Sequence, residues 1–205
     1  MKKNLLILFS LSISLICAVD IIAQADGTTD PLVARPVIAN KIQEFALQNK
    51  LENEPAPNFS LRDLEGNEVS LADFKGKVVV LDFWATWCAP CIKSFPAMQM
   101  AVDKYKEDPN VRFLFINTWE QKPNPQQSVQ QLIEKRGYNF QVLMDVKDPT
   151  SKKNPVVESY GVSGIPAKFI IDGKGNIRFK VKGFTGDNEA QVEELTQMIE
   201  SAKKI

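Results

Sequence analysis

Histidine is absent from the 205 residues, and that removes a large part of ordinary enzyme chemistry. No imidazole is available as a general base near neutral pH, as a metal ligand, or as partner to a nucleophilic cysteine. Cysteine is scarce: there are 3, at positions 17, 88 and 91. So few cysteines, two of them nearly adjacent, cannot frame a disulfide-stapled fold. A zinc site fails for want of a second cysteine pair or any histidine. An excess of one charge is also missing, since 25 basic residues face 25 acidic ones. Neither that balance nor any block of like charge points to nucleic acid or to electrostatic docking. Internal repeats and low-complexity tracts are lacking as well.

Long apolar runs are limited to residues 5–19, shorter than the roughly twenty residues a bilayer crossing needs. Lys2 and Lys3 precede this run and Ala23-Gln24-Ala25 follows it. A charged start, an apolar middle and a small-residue end read as a signal peptide over residues 1–25, with cleavage after Ala23 or Ala25. The expected location is therefore periplasmic or secreted, with an uncleaved N-terminal anchor as the alternative. Cys17 is not read as a lipid-attachment site, because Ile16 stands where a small residue is expected. Without Lys2, Lys3 and Asp20 the remainder carries 23 basic and 24 acidic residues, a net charge of −1. It retains only Cys88 and Cys91, and its size suits a single domain.

Residues 26–54 form a polar segment with a helical stretch, in which Ile38, Ile42, Phe45 and Leu51 recur at helix-like spacing after Pro36. Pro55-Ala56-Pro57 marks a boundary, and the main domain is expected over 55–205. It should open with a hairpin of strands 59–61 and 69–71 around Glu65-Gly66-Asn67. The run 78–84 is β-branched and aromatic throughout, as befits a strand buried on both faces. A helix over 92–106, bent at Pro96, follows the cysteine pair. Next come a strand at 111–118, a helix at 128–136 stopped by Gly137, a short strand at 141–144 and a helix at 155–160. Strands 167–171 and 177–181 flank the turn sequence Asp172-Gly173-Lys174-Gly175-Asn176. A closing helix over 188–203 has Val192, Leu195, Ile199 and Ala202 on one face. This order implies an α/β fold: a central mixed sheet flanked by helices, with an N-terminal β-hairpin extension.

The cysteines lie where a buried strand gives way to a helix. Unpartnered amides and the helix dipole at that point favour a thiolate at Cys88, lowering its pKa below the free value of about 8.5. Pro90 suits a first helical turn because it has no N–H to lose. Cys91, one turn further in, should be less exposed. This arrangement suits dithiol–disulfide exchange, with Cys88 attacking a partner disulfide and Cys91 resolving the mixed disulfide. A static bridge closing so short a loop would stabilise little.

The run Val80-Leu81-Asp82-Phe83-Trp84-Ala85-Thr86-Trp87-Cys88-Ala89-Pro90-Cys91 closely resembles the active-site strand and turn of the thioredoxins. The stretch from Ala56-Pro57-Asn58-Phe59 through Lys75-Gly76-Lys77 is similar to their exported TlpA/ResA-type branch, which includes thiol–disulfide reductants and cytochrome c maturation factors of bacteria. This resemblance implies a thioredoxin fold, a redox-active disulfide with no bound cofactor or metal, protein thiol or disulfide substrates, and a membrane electron donor. Gly164-Ile165-Pro166 matches the family loop facing the cysteines, whose proline is normally cis. Ile165 and Pro166 then join Trp87, Ala89 and Pro90 as substrate contacts. Asp82 takes the place of the buried acid beneath the second cysteine, suited to accept the Cys91 proton. Glu120 matches an acid near the cysteines that serves the same purpose or tunes the potential. Trp84 and Trp87 are expected to frame the site, and Lys93 to be an exposed lysine. Ala89-Pro90 lacks the histidine found in strongly oxidising members, which favours a reductase. The same N-terminal stretch also resembles the AhpC/TSA peroxiredoxins, but Trp84 and Ala85 stand where those have proline and threonine or serine. A non-catalytic binding module is the remaining alternative, and the intact cysteine pair argues against it.

Overall fold

The protein is described from a computed structural model, covering residues 52–122 and 124–205. The leader, Cys17 and the helical stretch expected before Leu51 lie outside the described residues. Strands β1 (Glu54–Pro55), β2 (Ser60–Asp63) and β3 (Glu68–Ser70) come first, then a 3-10 turn (Leu71–Phe74) and β4 (Val78–Trp84). Helix α1 (Ala89–Tyr105), β5 (Val111–Asn117), α2 (Pro125–Arg136) and β6 (Val142–Met144) follow. Helix α3 (Pro155–Ser159), β7 (Ala167–Ile171), β8 (Asn176–Lys182) and α4 (Asn188–Ala202) complete the chain. The eight strands form one sheet in the order β1-β8-β7-β4-β5-β6-β2-β3. β4, β5 and β6 run parallel, and every other neighbouring pair is antiparallel.

β4 is central, and all seven of its side chains are buried. Their alternation divides the core. Val78, Val80 and Trp84 meet α1, α2 and α4 on one face, through Phe95, Met98, Val129, Leu195 and Ile199. Val79, Leu81 and Phe83 meet Phe169, Tyr160 and the α3 residues Val156 and Val157 on the other. Each buried Leu, Ile or Phe contributes about 1.5–3 kcal/mol of transfer free energy, so this strand anchors both layers. Phe95 on α1 packs edge-on against Trp84 with ring centroids 4.9 Å apart, and likewise against Phe140 at 5.1 Å.

The expected hairpin forms as β2–β3 and joins the sheet through β6. α2 stops where foreseen, with Gly137 in the left-handed region at φ 69°. Three boundaries differ, one being the start of α2 at Pro125 rather than 128. The sheet begins at Glu54, inside the segment assigned to 26–54, because the outer edge of β8 is free to take a partner; the Glu52 amide already donates to the Arg178 carbonyl. α1 begins at Ala89 rather than 92, and it continues through Pro96, whose missing N–H costs one intrahelical bond. In α4, Leu195, Ile199 and Ala202 are buried as expected, Val192 is half-buried, and Gln191 and Met198 join the buried face.

Candidate active site

The end of β4 and the start of α1 bring the two cysteines together. Cys88 is the N-cap of α1, and its sulfur accepts the Cys91 backbone N–H at 3.2 Å. Sulfur thus takes the place that Ser, Thr or Asp oxygens usually fill at a helix start, and an orphan amide points at the atom that must carry negative charge. Cys88 and Cys91 are joined as a disulfide with Cα atoms 5.3 Å apart. The expected difference in exposure is small here: Cys88 is 3% and Cys91 0% exposed. Access comes from the neighbours, since Trp87, Ala89 and Pro90 are all exposed.

Trp84 does not frame the opening. It is 0% exposed and packs in the core against Phe95, because β4 is covered on both faces to its last residue. Trp87 does lie at the surface, and its indole N–H donates to the Trp119 carbonyl at 3.0 Å. Trp119 has φ 53°, a left-handed conformation uncommon for a residue other than glycine. That turn also directs Glu120. Its Oε1 accepts the Thr86 N–H at 2.6 Å and the Asn117 Nδ2–H at 2.9 Å, and its Oε2 accepts the Thr86 hydroxyl at 2.7 Å. Glu120 is thus half-buried and clamps the segment just before Cys88, which differs from both a free loop charge and an acid aimed at sulfur. Hydrogen bonds to an ionised acceptor contribute about 1.5–3 kcal/mol each where burial excludes water. Replacing Glu120 by alanine should therefore lower stability by about 2 kcal/mol in urea denaturation. An unchanged midpoint would show that the clamp contributes nothing.

Asp82 is 1% exposed, and burial raises its carboxyl above the ordinary carboxylate value of 3.8 while Lys168 pulls it back down. The Lys168 ammonium lies 3.4 Å from Oδ1, close enough for attraction but too poorly aligned for a hydrogen bond. Lys168 sits directly across the β4–β7 ladder from Asp82. This partner was not foreseen, although a lone lysine in the apolar run Ala167-Lys168-Phe169-Ile170-Ile171 is itself a signal. Lys93 is exposed, as expected.

The Ile165–Pro166 peptide is cis, and β7 starts immediately after it. Ile165 is half-buried and touches both core clusters, while Pro166 is buried and its carbonyl accepts the Gly183 N–H at 2.8 Å. A further network ties the end of β6 to the start of α3. Asp145, buried at the end of β6, accepts the Thr118 hydroxyl at 3.0 Å and the Val156 and Val157 amides at the start of α3.

Residues 53–180 match the AhpC/TSA family. A thiol-disulfide oxidoreductase ResA of Bacillus cereus is 35% identical over 156 residues, covering 76% of this chain and 83% of that protein. The crystal structure of a Chlorobium tepidum protein assigned as the thiol:disulfide interchange protein DsbE superposes with a TM-score of 0.59 at 31% identity, covering 72% of this chain and 97% of the other. StoA of Bacillus subtilis does so with a TM-score of 0.55 at 26% identity, covering 68% and 97%. With its fold, its cysteine pair and these relatives in agreement, the chain belongs to the AhpC/TSA family of thioredoxin-like proteins, among the ResA-type thiol–disulfide oxidoreductases.

Proposed function

We propose that the protein reduces disulfides of other proteins outside the cytoplasm through Cys88 and Cys91. The observation that carries this reading is the Cys91 N–H donated to Cys88 Sγ at 3.2 Å, because the same bond would favour the thiolate when the pair is reduced. Cys88 as thiolate attacks one sulfur of a substrate disulfide, and the other sulfur leaves as a thiolate. Cys91 loses its proton and attacks Cys88 Sγ, breaking the mixed disulfide and releasing the second substrate thiolate. Two electrons pass to the substrate, and Cys88–Cys91 is left oxidised.

The remaining roles follow from position. Asp82 lies on the face of β4 that carries Val80 and Trp84, whose cluster includes Cys91, which suits it to take the Cys91 proton. Ile165 and Pro166 offer an edge where a substrate segment can lie in strand-like fashion, beside exposed Trp87, Ala89 and Pro90. Glu120 acts indirectly, by holding Thr86 and with it the approach to Cys88. The leader read in residues 1–25 supports an exported protein, and in an oxidising compartment a reductant needs electrons from a membrane carrier. No bound cofactor is called for, since the reduced Cys88–Cys91 dithiol itself carries the electron pair.

Equilibration with glutathione tests the direction of flow. The potential should fall near the value of about −270 mV typical of thioredoxin, and a value near −120 mV would make the protein an oxidant instead. The AhpC/TSA match gives one reason to consider a peroxidase. That second reading predicts peroxide consumption with a dithiol donor, lost when Cys88 is replaced.

A further inference from the structure

The end of the sheet remote from the cysteines carries a cleft of about 210 Å³ between two turns. One wall is the 3-10 turn and the residues just after it, and the other is the β7–β8 turn at 172–175. The Gly76 N–H donates to the Gly173 carbonyl at 2.9 Å, and the Ala56 N–H to the Gly175 carbonyl at 2.9 Å, so backbone ties the walls together. A Cβ at 173 would stand 3.1 Å from the Gly76 carbonyl, and glycine is what lets the two turns meet this closely. The cleft is therefore preformed.

Its floor is apolar. Val79 and Ile171, each 1% exposed, lie at the bottom, flanked by half-buried Leu71 and Phe74. Lys75, Lys77 and Lys174 stand around it. No ion pair among the described residues engages any of these three, whereas Lys153, Lys168, Lys180 and Lys203 all have carboxylate partners. The acids close by are committed elsewhere. The Asp172 side chain is 0% exposed and its Oδ1 accepts the Lys174 and Asn176 amides, while Asp73 Oδ2 accepts the Ser70 N–H. Uncompensated positive charge thus rims an apolar floor. A bare anion would leave the floor uncovered, and a neutral apolar ligand would leave the ammonium groups without a partner. Ligand clefts commonly measure about 300–1,000 Å³, so this one suits a short chain rather than a bulky ring system.

We infer that this cleft binds an anionic amphiphile, its acyl chain on Val79 and Ile171 and its acid group among Lys75, Lys77 and Lys174. A free fatty acid and an anionic membrane lipid both offer that chemistry. The site stands apart from disulfide exchange and does not rest on the reductase reading. β4 runs from Val78, beside the cleft, to Trp84, shortly before Cys88. At about 3.3 Å per residue that strand spans roughly 20 Å.

Titration of the full chain with octanoate, read from the methyl resonances of Leu71, Val79 and Ile171, tests this. Octanoate should move all three to saturation. Octanol has the tail without the charge, inorganic phosphate the charge without the tail, and each should bind about tenfold more weakly. Hexanoate should also lose about tenfold, because two buried methylenes are gone. Lys75→Gln, Lys77→Gln and Lys174→Gln combined should weaken octanoate about thirtyfold, roughly threefold for each ammonium. Ala72→Phe, at an exposed position on the cleft wall, should fill the cleft and abolish binding. Both variants should reduce insulin at the wild-type rate. Unchanged affinity in the triple variant, octanol matching octanoate, or methyl resonances unmoved by octanoate would overturn the inference. Where octanoate binds, vesicles separate the two sources. Protection of the three lysines from acetylation by phosphatidylglycerol vesicles, and not by phosphatidylcholine vesicles, extends the site to a membrane lipid; protection by neither restricts it to the free acid.

Discussion

Cys88→Ser should lower insulin reduction by about a thousandfold or more, because a hydroxyl does not ionise near neutral pH and the remaining thiol of the pair, Cys91, is 0% exposed and out of reach of a substrate disulfide. Alanine at position 91 should behave differently. Cys88 can still attack, but nothing resolves the product, so mixed disulfides with substrate accumulate and run as reducible adducts on a non-reducing gel. The same Cys91→Ala protein reports on the thiolate. Its alkylation rate should reach half its maximum at a pH below the free-thiol value of about 8.5, because the first-turn amides of α1 remain in place around Cys88. Full activity in Cys88→Ser would show that Cys88 is not the attacking thiol, and an inactive wild type would return the protein to the class of binding modules. Ordinary titration of Cys88 would remove the physical basis of the proposed mechanism.

The parts of the molecule that were legible in the sequence are those whose physics is local. The apolar run of β4 declares burial on both faces, and the turn residues around Asp172 and Glu65 declare two hairpins. The start of α1 was placed three residues late because periodicity looks for apolar side chains, whereas its first turn is Ala89, Pro90 and Cys91 and its cap is a sulfur. The buried pair was half legible. Asp82 stands out in an apolar strand, but its partner depends on the antiparallel register of β7 against β4, a non-local fact that no spacing encodes. Glu120 is legible as an acid near the cysteines, whereas its hydrogen bonds to Thr86 are not. The turn that aims it at Thr86 pivots on Trp119 in a left-handed conformation, a position where glycine or asparagine would have been the signal.

The pairing of Asp82 with Lys168 also governs stability, with a sign that can be worked out. Burial holds the folded-state carboxyl of Asp82 above its unfolded value of 3.8, so the folded chain binds the proton more tightly than the unfolded one does. Its contribution to stability is therefore greatest in acid and is lost as pH rises through the raised folded value. Asp82→Asn leaves an ammonium without its counter-charge, and Lys168→Met leaves a carboxylate without its own. Each single change should destabilise the protein by about 3 kcal/mol at pH 7. Changing both removes both charges and leaves side chains of similar volume, so the double variant should match or exceed the wild type, by about 1–4 kcal/mol at pH 7. Because the wild type alone carries the buried titrating pair, the difference between the two should widen from pH 4 upward. Urea denaturation at pH 4 and pH 7 checks both statements. A double variant as unstable as the two losses added together would mean that the charges act independently, and that the 3.4 Å contact does not couple them.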